Sequence, residues 1–169
     1  MSELPGRVGR ALRDHDAFVD DPDEHGADEV PNTSTPFDAS VAVAEREDGR
    51  VEFDVTVGVP TIDAVAEEHV ADVVADGWYE TFERRIHDVG DVTAAGHELS
   101  PSVVREDGVV VVSAAFADLN ERRSVNDAAA VVDFVEGTYV QGVIPGYEYG
   151  EPVTSLIGRA RAAAGSDGA

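Results

Sequence analysis

One run of alternating apolar residues and one run apolar at nearly every position, each preceded by the same four residues, limit what this chain can fold into. Val51, Phe53, Val55, Val57 and Val59 alternate with Glu52, Asp54, Thr56 and Gly58, the period of two expected of a half-buried strand. Phe37, Ala39, Val41 and Val43 alternate ahead of them across Asp48-Gly49, which predicts a β-hairpin. Arg46-Glu47-Asp48-Gly49 recurs as Arg105-Glu106-Asp107-Gly108, again ahead of an apolar run, Val109 to Phe116. The shared context predicts a duplicated ββα unit.

The remaining elements fit around those hairpins. Leu4, Val8, Ala11, Leu12, Phe18 and Val19 predict an amphipathic N-terminal helix over 1–19, opened by Pro5. The acidic, proline-interrupted stretch 20–36 reads as a solvated loop. Thr61 is placed to cap one long helix marked by Ile62, Val65, Val70, Val73, Val74, Trp78, Phe82 and Ile86, and the first unit spans 37–89. In the second unit, 97–143, Ser124 and Asp127 read as a capping box before a helix through Val131, Val132, Val135 and Tyr139. Gly77-Trp78-Tyr79 aligns with Gly137-Thr138-Tyr139, and a terminal helix over 151–164 uses Val153, Leu156, Ile157 and Ala160. The predicted class is one α+β domain: a four-stranded antiparallel sheet with helices on one face. The run Val109 to Phe116 is apolar on both faces, so either it is a central strand half covered by a helix, or another subunit or a ligand covers its second face.

Charge constrains the environment. The chain of 169 residues carries 35 acidic residues against 12 basic ones, a formal charge of −23, and every basic residue is Arg. A globule of this length has a radius of gyration of roughly 15 Å, whereas the Debye length is about 10 Å at 0.1 M salt and about 3 Å at 1 M. The carboxylates therefore repel one another in dilute buffer and are screened in brine, which predicts a salt-adapted protein. With no cysteine there is no disulfide or thiolate chemistry. No apolar run approaches the roughly 20 residues of a membrane span, and the first residues lack a signal-peptide pattern, so a cytoplasmic, non-membrane protein is expected.

Catalytic signatures are lacking: no nucleophile elbow, phosphate-cradling glycine loop, paired helical histidines or dinucleotide fingerprint occurs. No catalytic residue, metal ligand or cofactor is assigned. Asp21 to Gly26 resembles the start of a calcium loop, but Asn32 stands where the bidentate Glu belongs. His87, Asp88, Asp91 and His97 lie close in sequence without a metal-specific spacing. His15 falls on the predicted apolar helix face, where a hydrogen-bonded structural histidine is expected. Arg7, Arg10, Arg13, Arg159 and Arg161 are expected to pair with carboxylates rather than with nucleic acid. The unusual segment is 143–152, VIPGYEYGEP, where aromatics framed by Gly and Pro suit a binding loop. Tyr147, Glu148 and Tyr149, with Trp78, are the candidate binding residues.

His15-Asp16-Ala17-Phe18, Thr35-Pro36-Phe37 and the segment 143–153 resemble an uncharacterised family of small haloarchaeal proteins. That resemblance implies origin and length, and no activity. The order of elements is also similar to that of type III secretion chaperones, an analogy of element order alone. The expected function is a non-enzymatic protein-binding or adaptor module, with a protein partner or a second copy meeting the doubly apolar strand or the Tyr147 loop. The alternative is an enzyme or small-molecule binder with a pocket beside that loop and His15 or His87 as acid or base.

Overall fold

The computed structural model describes residues 4–19, 22, 27, 29–97 and 99–167. Its sheet has five antiparallel strands in the order β1-β2-β3-β5-β4: β1 Val30–Pro31, β2 Asp38–Glu45, β3 Val51–Pro60, β4 Ser102–Glu106 and β5 Val109–Asp118. The expected four strands are thus corrected to five. Strand β1 lies inside the stretch read as a loop, where buried Val30 pairs with Val41 and Pro31 with Ser40. Two residues are too few to display a period, and a proline that lacks an N–H is tolerated on an edge. The calcium-like stretch 21–26 lies, apart from Pro22, outside the described residues.

The identical tetrapeptides occupy turns of different length. In the first hairpin the Gly49 N–H donates to the Arg46 carbonyl (3.1 Å), the Arg46 N–H donates to Arg50 (2.8 Å), and Gly49 has φ 87°. That is a three-residue loop with its last residue left-handed. In the second, Glu106 pairs directly with Val109, and both Asp107 (φ 52°) and Gly108 (φ 80°) are left-handed, as a two-residue type I′ turn requires.

Side-chain alternation divides the sheet. Val51, Phe53, Val55, Val57 and Val59 of β3 and Val110, Val112, Ala114 and Phe116 of β5 are buried on one face. Phe53 lies opposite Phe116, their rings stacked at 5.8 Å. Helix α4 (Glu121–Gln141) crosses β3 and β5 on this face and is flanked by α1 (Gly6–Arg13), α3 (Asp72–Ile86) and α5 (Val153–Asp167). Tyr139 of α4 is fully buried and donates its hydroxyl proton to the Pro60 carbonyl (2.9 Å). Burial raises its pKa above the ordinary phenol value.

Helix boundaries differ from the sequence reading at three places, the first being α1, which ends at Arg13 rather than residue 19 and leaves Phe18 to bridge to Asn32. The long helix breaks into α2 (Ile62–Val65) and α3, because Ala66 is extended and bridges to Tyr149. The Glu67 N–H donates to the Glu148 carbonyl and the Gly150 N–H to Val65, both at 2.8 Å, so the chain here pairs with a distant loop instead of with itself. Val73, expected on the buried face, is 78% exposed. The N-cap of α4 is Asn120, whose side chain accepts the Arg123 N–H. The supposed capping pair has other work: the Ser124 hydroxyl donates to the Asn120 carbonyl, and the buried Asp127 carboxylate accepts the Ala94 N–H at 2.6 Å.

Edge strand β4 runs beside α3. The Tyr79 hydroxyl donates to the Val103 carbonyl (3.3 Å), while Arg105 lies 4.5 Å over the Tyr79 ring and pairs with Asp76 at 3.0 Å.

Candidate functional site

The face of the sheet opposite the helices has no covering element among the described residues. Strict alternation puts Val109, Val111, Ser113, Ala115 and Ala117 of β5 outward, with Ser102 and Val104 of β4 beside them. Val104 and Val111 are direct cross-strand partners, and Val104, Val109 and Val111 are 49%, 41% and 39% exposed. Val73, Val92 and Leu119, the other exposed large apolar side chains among the described residues, sit on three other segments. Outward positions on β2 and β3 differ: Asp38, Ser40, Glu52, Asp54 and Thr56 make that half polar. Burial, reinforced by neighbouring Glu52, raises the Asp54 pKa.

The valine patch runs into a cleft of about 380 Å³ at the Pro60 end of the sheet. Gly58, Pro60, Val109 and Pro152 give it apolar walls, and Asp38 and Glu151 supply carboxylates. A Cβ on Gly58 would meet a Val109 methyl at 3.8 Å and the Asp38 Cβ at 3.9 Å, so glycine helps to keep this cleft open.

The residues singled out from sequence do not form one site. Tyr149 is buried and donates its hydroxyl proton to the Ile144 carbonyl (2.6 Å), so it anchors the loop rather than presenting a ring to a partner. Burial is the main cause of its raised pKa. Tyr147 is half-buried and lines a cleft of about 360 Å³ with Val140, Ile144, Ile157 and Arg161. Glu148 is exposed, and its backbone ties the loop to the segment after α2 through Glu67 and Glu68. Trp78 belongs to a separate cleft between α3 and α4, where it stacks on Phe82 at 5.4 Å.

His87, Asp88, Asp91 and His97 do share a cleft, of about 500 Å³. Among the described residues no group of three His, Asp or Glu is arranged to hold a metal. Sequence reading missed the partners of His97. Its ring stacks on Phe116 at 4.6 Å, and its Nε2 lies 3.5 Å from Asp127 and 3.8 Å from Asp118. Asp118 accepts two hydrogen bonds from the Arg123 guanidinium, both 2.8 Å, which hold its pKa down to about 2. Asp118, Arg123 and Asp127 lie within ten residues of one another, but His97 reaches them from the loop after α3, so its own neighbours in sequence could not reveal them. Their paired carboxylates staple the loop after α3 to α4 and β5. His15 lies just beyond α1, half-buried against Phe18, and its Nδ1 accepts the Ala17 N–H at 3.1 Å.

Among the described residues no helix is long and apolar enough to cross a membrane. The model of a family described as Family of unknown function (DUF5813) matches residues 13–159. No curated protein and no solved structure matches the chain.

Proposed function

We propose that this chain, which belongs to that family of unknown function, is a cytoplasmic, salt-adapted protein-binding module that uses the outer face of β4 and β5. The observation that carries this reading is the convergence of exposed Val104, Val109 and Val111 on one face. Charged residues make up 28% of the chain, yet the outward positions of β5 from Val109 to Ala117 hold none, a depletion typical of interface cores.

Magnitudes define the partner. Fully burying a valine contributes about 1.5 kcal/mol, and these three are already half covered, so the patch supplies roughly 2 kcal/mol. Micromolar binding needs about 8 kcal/mol, so an anchoring side chain is required. The adjoining cleft, with apolar walls and the Asp38 and Glu151 carboxylates, suits the aliphatic stem and cationic head of a partner's Lys or Arg. The partner is therefore a protein that presents an apolar patch with a basic anchor.

Co-purification in molar KCl tests this. A stoichiometric partner is expected with the native chain and lost from the Val109→Asp plus Val111→Asp variant, with weaker capture by Asp38→Asn. A partner retained by the double variant, or a native chain recovered alone as a monomer, defeats the proposal. The salt adaptation has its own check: native circular dichroism should be lost on dialysis into dilute buffer, and its retention at 0.05 M KCl would refute that part.

A further inference from the structure

We propose that the cleft between α3 and α4 is a binding site for a small carboxylate with an apolar body. The cleft holds about 300 Å³, at the lower end of small-molecule sites. Its apolar surface includes Trp78, Phe82 and Ile144, and its rim carries Arg85 and Gln141. Two groups in it lack partners. The Trp78 side chain is 5% exposed and its Nε1 meets no acceptor, an unmet buried donor of a kind native interiors rarely leave. Arg85, in a chain with 35 acidic residues, pairs with no carboxylate among the described residues. A buried N–H donor and an unpaired guanidinium in one apolar cleft call for an acceptor that carries negative charge.

Two glycines make the room. A Cβ on Gly142 would stand 3.6 Å from Trp78 Nε1, so a side chain there would add to the cover over the indole nitrogen. Gly77 sits within α3, where glycine is unfavourable relative to alanine. A Cβ at this position would meet nothing within 4 Å, so no crowding within the protein requires glycine. Both glycines line the cleft. Because Nε1 is covered in the empty protein, entry of a ligand oxygen needs a small side-chain shift. Half-buried Ile144, which lines this cleft and its neighbour, is placed to give way.

Trp78 is the only tryptophan, so its fluorescence and its single indole N–H resonance report on this site alone. Octanoate is the probe, titrated in molar KCl, with octanol and acetate as the controls that lack the charge and the tail. A saturable change in emission and a downfield move of the indole proton are expected with octanoate, with binding about tenfold weaker for octanol and for the Arg85→Gln variant. Gly77→Ala separates site from scaffold: it should raise the melting temperature by about 3 °C while weakening octanoate binding. The proposal is overturned if octanoate leaves the indole resonance unmoved, or if Arg85→Gln and Gly77→Ala bind it as the native chain does.

Discussion

The two hairpins carry the same four residues at their turns and are built differently. After Gly49 the chain inserts Arg50 before the strand resumes at Val51, whereas Val109 follows Gly108 directly. That residue lets Glu47 to Gly49 form a three-residue loop, and its absence forces Asp107 and Gly108 into a two-residue turn with both φ angles positive. Surroundings differ too. The Gly49 carbonyl meets only the exposed Arg7 side chain at 3.3 Å, while the Gly108 carbonyl accepts the Thr61 N–H (2.9 Å) where α2 begins. Outward from the first hairpin point acids and hydroxyls, with Ala42 and Ala44 among them; from the second, valine, alanine and serine, with Glu106 at the turn. A repeated turn sequence thus specifies that a hairpin forms, and its neighbours decide which turn and which surface result.

The division between faces gives the largest expected effect. Val112→Asp, which puts a charge in the buried layer, should cost about 4 kcal/mol or more and unfold the chain. Val111→Asp, one residue away, should change the unfolding free energy from urea titration by less than about 0.5 kcal/mol. Equal losses would erase the distinction between the faces. At the turns, Gly108→Ala should cost about 2 kcal/mol and Gly49→Ala about 1 kcal/mol. Both have positive φ, but a Cβ on Gly108 would stand 3.3 Å from the Ala64 Cβ, whereas one on Gly49 would meet only Leu119 at 3.9 Å. Equal urea midpoints would show that docking on α2 does not distinguish the turns.

The smallest effect concerns the far end of β5. The Asp118 pKa is lowered from 3.8 to about 2 by Arg123, so its contribution is complete above about pH 4 and is lost as pH falls toward 2. Arg123→Gln should lower stability at neutral pH, with the gap to the native chain closing over that acid range. A gap that is independent of pH would mean that Arg123 acts through packing alone.

Strands β2 and β3 were legible because period-two alternation is a local signal that burial then obeys, and β5 because a short apolar run follows a repeated turn sequence. What escaped depended on contacts distant in sequence. Strand β1 is recruited by Val41, α3 is cut from α2 by Tyr149, and Asp127 serves Ala94 rather than a cap. The candidate surface was half legible: the doubly apolar run was evident, but its cleft needs Asp38, Gly58 and Pro152 brought together by the fold. The inward turn of Tyr149 was not legible, because a Gly and Pro frame looks alike around an exposed ring and around an inward-turned one.

Tyr79 caps one carbonyl on the β4 edge of the sheet, with Arg105 packed over its ring. Unpaired strand edges are where sheets polymerise into filaments, and at the other end β1 is only two residues long. Lateral growth is therefore disfavoured on both sides, and association is left to the faces. A self-complementary face is occupied once, so an isologous assembly formed there stops at two chains.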